Sequence, residues 1–260
     1  MNHFSAFDIT LSPTFGFFKY HYTSSIIILQ DELELNINVV FKFDIAISAN
    51  GLNAYVAHLK FGDIEQVGMD AVNPLVICIH NTITDLILII DDKGDLLAID
   101  NLIEIKLKWL KIRQAVLDLS KNPYYRQAIN QYNYCLNDLS GKLLLKEFKN
   151  NGVFRLLFSG IHQKIISSRM LLPTISVSGI LPSQLITLNQ ILDIKERTTF
   201  YNSRILNLQE VYTGSEMLDY TGNIEFEISE KNSYIKRAVH NKKIKTLQKE
   251  VIVRNLLQMI

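Results

Sequence analysis

The sequence has few of the residues that cross-link small folds or that interrupt helices and strands. Its 260 residues include two cysteines, five prolines, eleven glycines and one tryptophan. Cys78 and Cys135 lie far apart in apolar surroundings, whereas a disulfide framework or a zinc site requires more sulfur at closer spacing. We therefore predict two buried free thiols in a reducing compartment, no metal site and no cofactor.

An excess of charge of one sign is also missing. The chain has 27 basic and 26 acidic residues, for a formal net charge of +1, whereas nucleic-acid-binding proteins carry a basic footprint that displaces counterions. This balance predicts no nucleic-acid partner. A hydrophobic content of 48% excludes disorder over most of the length. A chain of this length can form a core without disulfides or bound metals.

Targeting and membrane-spanning signals are absent from the sequence. The first eight residues contain neither a basic region nor a long apolar run, so they do not form a secretory signal. Residues 170–192 are uncharged and long enough to cross a bilayer, but Pro173, Pro182 and scattered polar side chains interrupt them. We interpret this segment as strand and loop, and predict a soluble, cytoplasmic protein without a membrane span.

Alternating apolar and polar residues dominate the first 99 positions. The alternation over 33–47 is typical of a strand with one face on a core and one in water. Asn50 and Gly51 then predict a turn before a return strand at 54–61. The other apolar runs are interpreted as further strands of an antiparallel meander: 15–22, 25–29, 75–79, 86–90 and 95–99.

The period of the apolar residues changes near position 100. Apolar side chains recur every three or four residues from Leu102 to Leu119, and again from Tyr125 to Leu143. This spacing is typical of amphipathic helices, and Gly141 predicts a bend or break in the second one. A further short helix at 153–162 completes a predicted central helical block of about residues 100–165.

The strand pattern returns in the last third of the chain. Residues 198–208, 223–228 and 234–239 are candidate strands, and 242–260 fits either a basic amphipathic helix or a last strand. We favour the strand because it follows a predicted hairpin.

Blocks of strands and helices, rather than alternation of the two, predict an α+β fold. We expect one or more antiparallel β-sheets from the N- and C-terminal blocks, packed with the central helical block. Because no linker rich in proline, glycine or serine separates the blocks, we predict a single α+β domain over 1–260. It is β-rich over 1–99, helical over 100–165 and β-rich over 166–260.

No group of residues has a catalytic or metal-binding spacing. The six histidines lack a second ligand at helical spacing, and the acidic turn 91–95 lacks the ligand order of a calcium loop. Glu225 and Glu227 share one face of a predicted strand. We interpret this face as exposed to solvent rather than as a pair of acid–base carboxylates. The Ser-Gly turn at 158–160 does not match a nucleophile elbow. We predict no catalytic, cofactor-binding or metal-binding residues.

Aromatic residues are concentrated near the N-terminus. Alternation places Phe18, Tyr20 and Tyr22 on one face of a strand, and Phe15 and Phe17 on the other. Packing in a core explains one such face. Two apolar faces indicate a covered sheet, an interface or a ligand cavity.

Three functional hypotheses follow from these observations. The first is a non-catalytic protein–protein interaction module, an adaptor, accessory or immunity-type partner that binds another protein or itself. The alternative is a carrier of an apolar small molecule or lipid in a cavity between sheet and helices, which would lose its ligand if Phe18 or Tyr20 became charged. The third is an enzyme whose residues converge only in the fold. The sequence favours a protein that is not an enzyme, unless a pocket joins His58 or His80 to a carboxylate.

Overall fold

A large antiparallel sheet packs against helices in the computed structural model of the chain. The structure describes residues 9–10, 15–30, 33–51, 53–65, 74–121, 123–150, 152–162, 164–165, 167–178, 185–198, 203–214 and 218–260. The strands are β1 (Ile9–Thr10), β2 (Gly16–Gln30), β3 (Leu33–Ala49), β4 (Ala54–Phe61), β5 (Asp85–Asp91), β6 (Leu96–Ile99), β7 (Lys164–Ile165), β8 (Arg169–Ser178), β9 (Leu185–Thr198), β10 (Ser203–Tyr212), β11 (Asp219–Ser229), β12 (Ile235–Lys245) and β13 (Lys249–Met259). The helices are α1 (Pro74–Thr82), α2 (Leu102–Lys111), α3 (Arg113–Ser120), α4 (Pro123–Asn137), α5 (Lys142–Asn150) and α6 (Gly152–Leu157).

The main sheet consists of two meanders joined edge to edge. Strands β2 to β6 pair in chain order, and so do β8 to β13. The last strand, β13, returns to pair with β2, which makes one sheet of 11 strands with β6 and β8 at its edges. Strands β1 and β7 form a separate two-stranded pair. The predicted α+β fold with an antiparallel sheet is therefore confirmed.

The sheet curves around the helices that lie between its two halves. Helix α5 contacts both β6 and β8, which are the opposite edges of the sheet. Because neighbouring strands lie about 4.8 Å apart, the edges of a flat sheet of this size would be separated by roughly 48 Å. A single short helix cannot contact both edges unless the sheet curves towards it.

Alternation along the strands determines which face meets the helices. In β5, Leu86, Leu88 and Ile90 are fully buried, while the residues between them are only half-buried. These three side chains join one apolar cluster with residues of the helices, including Trp109 and Leu156. The period-two pattern that predicted the strand therefore also determines its core face.

The structure corrects the interpretation of residues 75–79. They were predicted to be a strand of the meander, but they lie in helix α1, which begins at Pro74. Proline at the first helical position has a suitable φ and lacks an N–H that would need a partner. A short apolar run has no period that separates a buried strand from a buried helix.

The predicted confinement of the helices to a central block is not confirmed. Helix α1 lies outside 100–165, and β7 lies inside it. Two details agree with the predictions: the second amphipathic stretch breaks at Gly141, where φ is +69°, and the ambiguous tail contains strand β13. Three others differ: the stripe from Leu102 to Leu119 is divided between α2 and α3, the short helix predicted over 153–162 ends at Leu157, and the strands predicted at 15–22 and 25–29 are the single strand β2. None of the helices that the structure describes is long and apolar enough to cross a bilayer.

Candidate ligand-binding site

A small apolar cavity lies between the sheet and helix α6. It has a volume of about 40 Å³, and β2, β3, β5, α6 and the turn between β11 and β12 form its walls. Its side chains include Phe18, Ile47, Leu157, Phe158 and Tyr234. The rings of Phe18 and Tyr234 lie 5.5 Å apart, centroid to centroid. We call this space the apolar cavity.

The aromatic face predicted near the N-terminus points inward. Tyr20 and Tyr22 are buried in the core, and Phe18 is half-buried at the apolar cavity. Phe15 and Phe17, on the opposite face of β2, are 58% and 60% exposed. The two aromatic faces of this strand therefore have different environments, with the inner one divided between core and cavity wall.

A tight turn between β5 and β6 forms one end of the apolar cavity. Gly94 lies in this turn with a φ of +76°, and a Cβ there would lie 2.6 Å from Cδ2 of His162. The backbone N–H of His162 donates to the carbonyl of Lys93 at 3.0 Å. Only glycine combines this backbone conformation with so close an approach, so the turn and the segment after α6 are held together.

A second and larger cavity lies in the gap between the two edges of the sheet. It has a volume of about 400 Å³, and its walls come from the β5–β6 turn, α5, the end of α6, β8 and β9. Phe158 lines both this space and the apolar cavity. We call it the polar cavity because Asp91, Lys93, Lys146 and Arg155 are among its wall residues.

A buried ion pair forms the inner wall of the polar cavity. Arg155 Nη2 lies 3.0 Å from Glu210 Oε1, and the two side chains are 5% and 1% exposed. Arg155 is buried because α6 is apolar and covered on nearly all sides, with Val153, Phe154, Leu156 and Leu157 buried around it. The amide of Gln190 also accepts a hydrogen bond from Arg155 and donates to the carbonyl of Pro173 at 3.0 Å.

Glu210 stays ionised because several groups bind its carboxylate. Burial alone would raise its pKa, but a hydrogen bond from His240, the charges of His240 and Arg155, and a hydrogen bond from Tyr220 together hold the pKa well below its ordinary value. Burial and the negative charge of Glu210 raise the pKa of the Tyr220 hydroxyl. The carboxylate lies behind Arg155 and outside the cavity wall.

Two buried polar atoms in the polar-cavity wall are left without protein partners. Among the residues that the structure describes, neither Nε of Arg155 nor Oγ of Ser159 has a hydrogen-bond partner. Arg155 is 4% exposed and Ser159 is 7% exposed. Unpaired buried donors are costly and rare in folded proteins, so Arg155 and Ser159 leave hydrogen-bonding capacity unused beside the cavity.

The cavity wall carries more positive than negative charge. Lys149 Nζ lies 3.1 Å from Asp95 Oδ1, and the carboxylate of Asp91 accepts backbone N–H groups of its own turn. Within the described part of the chain, Lys93 and Lys146 have no acidic side chain within ion-pair distance. The acidic turn 91–95, which lacks the ligand order of a calcium loop, is thus part of a cavity wall.

Histidines considered as catalytic candidates lie elsewhere. His58 Nε2 lies 2.5 Å from Asp85 Oδ1, but both side chains are partly exposed and neither lines the two cavities. His80 Nε2 bonds the carbonyl oxygen of Gly62 at 2.7 Å. Within the described residues, no three His, Cys, Asp or Glu side chains are grouped as metal ligands.

Sequence reasoning missed Arg155 and Glu210 because 55 positions separate them. A signal was present in the run Val153–Phe158, where Arg155 is the one charged residue among apolar neighbours. Such a residue is either exposed or buried with a partner, but its partner is not identifiable before the strands are paired.

Two of the solved structures that resemble this chain are weak likenesses. No family model and no curated protein matches the chain. One similar solved structure is a DUF1329 family protein from Desulfovibrio piger, with 7% identity, a TM-score of 0.21, and coverage of 93% of this chain and 85% of that one. Another is a domain from Vibrio parahaemolyticus named for outer membrane lipoprotein sorting, with 4% identity, a TM-score of 0.20, and the same coverage. At these TM-scores neither carries an argument about function.

The leading hypothesis of a protein–protein interaction module is wrong. It depended on an apolar aromatic surface larger than one core would need, and the structure places Tyr20 and Tyr22 in the core and Phe18 at a cavity. The alternative, a carrier of an apolar small molecule or lipid, agrees better with these positions.

Proposed function

We propose that the protein is a carrier of a small amphipathic or lipid-like molecule. The observation that carries this proposal is the pair of cavities that share Phe158 as a wall. Ligand sites typically occupy 300–1,000 Å³ and combine apolar walls with a few polar groups. The polar cavity, at about 400 Å³, has this size, and the apolar cavity beside it, at about 40 Å³, has room for a short apolar group.

In this proposal the helices between β6 and β7 form the inner wall of the carrier. Helix α6 contacts β12 and β13 and presents Leu157 to the apolar cavity. Helix α5 closes the gap between the sheet edges and supplies Lys146 and Lys149 to the polar cavity. A ligand would enter at this gap, where no strand pairing has to be broken. The cytoplasmic location stays a prediction of the sequence alone.

The first test uses native mass spectrometry on protein purified gently from its own host. We expect an extra small mass that disappears under denaturing conditions. The purified protein should also bind dodecanol, measured by displacement of the neutral fluorophore N-phenyl-1-naphthylamine.

A cavity-filling variant makes this test specific. Ile47→Phe adds bulk to the apolar cavity, and overpacking of this kind should weaken dodecanol binding by about tenfold. Leu97→Phe is the matched control, because Leu97 is 52% exposed and lies outside both cavity walls. A protein that carries no small mass and does not bind dodecanol would contradict the carrier function.

A further inference from the structure

The polar cavity has the features of a site for a negatively charged head group. Its wall contains Lys93, Lys146, Lys149 and Arg155 against Asp91 and Asp95. One of these acids pairs with Lys149, and the other accepts N–H groups of its turn. Asp91 keeps its negative charge, but four basic wall residues against two acidic ones leave a net positive charge for a guest, and the exposed Lys93 and Lys146 contribute to it.

The buried Arg155 gives the cavity a directional donor. Its Nη2 is engaged by Glu210 at 3.0 Å, while its Nε lacks a partner among the described residues. A guanidinium has five donors in a fixed plane and commonly binds oxyanions with two of them. Arg155 lines the polar cavity and has more donors than the Nη2 that Glu210 engages, so it can also donate to an oxyanion there.

Glu210 does not block such a guest. It lies outside the cavity wall, and its charge is already compensated by Arg155 and by hydrogen bonds from Tyr220 and His240. Half-buried Lys242 lies on β12 in the same cross-strand row as Glu210, because both residues pair with Gly222 of β11. Ser159, whose Oγ has no partner among the described residues, also lines the cavity.

We infer that the polar cavity binds a carboxylate or phosphate head group, so that the carried molecule is an anionic amphiphile. This inference rests on the proposed carrier function, because it assigns the polar cavity to the head group of the carried molecule. Charge-assisted hydrogen bonds to an oxyanion are about twice as strong as neutral ones. The head group would therefore contribute selectivity, while the apolar end adds affinity.

The test compares four probes on the full-length protein: dodecyl phosphate, dodecanol, dodecyltrimethylammonium and inorganic phosphate, each below its aggregation concentration. We expect dodecyl phosphate to bind at least about tenfold more tightly than dodecanol, and the cationic probe to bind least. The preference should weaken as ionic strength rises, because salt screens the lysines.

Two sets of variants distinguish a loss of head-group binding from a loss of the folded structure. Lys93→Gln with Lys146→Gln changes two side chains at the cavity mouth and should reduce the preference for dodecyl phosphate, with dodecanol binding unchanged. Arg155→Met with Glu210→Gln removes both charges of the buried pair together, which avoids leaving one of them unpaired. Lys60→Gln, an exposed lysine outside the cavity wall, is the matched control.

The outcomes distinguish the two proposals. Equal binding of dodecyl phosphate and dodecanol would overturn the head-group inference and leave the carrier function standing. Binding of neither dodecyl compound would overturn both. Inorganic phosphate that binds as tightly as dodecyl phosphate would support the anion site but contradict a carrier of amphiphiles.

Discussion

Glu210 carries a charge inside the protein, and its surroundings hold that charge in place. The carboxylate is bonded by Arg155, Tyr220 and His240, while 4% of the residue is exposed. Removing one member of a buried ion pair leaves the other uncompensated. We therefore expect Glu210→Gln to lower the free energy of unfolding at pH 7 by about 3–5 kcal/mol, measured by urea denaturation.

The lowered pKa of Glu210 predicts that its contribution to the stability of the folded state depends on pH. The folded-state pKa of Glu210 lies below its ordinary value of 4.5, so its charge stabilises the folded state above that pH. This stabilisation is lost progressively as the pH falls below 4.5 towards the folded-state pKa. The difference between wild type and Glu210→Gln should therefore shrink from pH 5 to pH 3.

An exposed ion pair provides the control for Glu210. Glu65 lies 3.2 Å from Lys42, and both side chains are about half exposed, so Glu65→Gln should change stability by only about 0–1 kcal/mol. A gap between wild type and Glu210→Gln that is as large at pH 3 as at pH 7 would show that the carboxylate is not the stabilising group.

Single residues also show why the site was not predictable from the sequence. Tyr20 and Tyr22 were assigned to one face of a strand because alternation along the strand is sufficient to show it, but the sequence did not show which of the two aromatic faces points inward. Arg155 and Glu210 lie on α6 and β10, and no local pattern links them. Their approach depends on how α6 lies across β12 and β13, which depends on the packing of the whole molecule.

Elements with a strict period were predicted well, and elements without one were not. The alternation of residues 33–47 predicted most of β3, and the helical stripe from Leu102 predicted the buried positions Ile105, Trp109 and Val116. The apolar run 75–79 has no period, and its helical state follows from packing around Leu75 and Thr82. Ile77 of this helix is 39% exposed, so α1 has a face in water that its uniformly apolar sequence does not mark. The local sequence therefore determines the type of an element only where polar residues mark its exposed side.

Helix α6 illustrates this limit and leads to a prediction. Its residues from Val153 to Leu157 are all buried, so its stability comes from packing rather than from helix propensity. Leu156 is fully buried, and Leu156→Ala should lower the free energy of unfolding by about 2–5 kcal/mol, as measured by urea denaturation.

A leucine on the outer face of α2 is the comparison for Leu156. Leu107 is 53% exposed, and alanine has a slightly higher helix propensity than leucine, so Leu107→Ala should change stability by no more than about 0.5 kcal/mol. If the two variants lost equal stability, α6 would not be the packed inner wall that the structure shows.

On the scale of the whole molecule, the join between β2 and β13 makes one sheet from two meanders. It runs from Gln30 opposite Lys249 to Tyr20 opposite Met259. Buried Asn255 lies within it, where its Oδ1 accepts hydrogen bonds from Tyr22 at 3.0 Å and from Ser24 at 2.8 Å. We propose that this join makes residues 1–260 fold as a single domain.

A substitution in the join tests this proposal. Asn255→Ala leaves two buried hydroxyls without an acceptor and should cost about 2 kcal/mol or more. Two probes follow unfolding: the fluorescence of Trp109 in helix α2, and the hydrogen exchange of the amides of β11 in the C-terminal meander. Gln258→Ala, an exposed position on the same strand, is the control and should change stability by about 0.5 kcal/mol at most.

A single cooperative domain requires both probes to report the same transition in the wild type. The two transitions should then shift together in Asn255→Ala, although Trp109 lies in the helical segment and β11 in the C-terminal meander. A shift seen by one probe alone would mean that the halves unfold separately. The join would then be an interface between two domains, and the polar cavity, whose walls come from both halves, would open when they part.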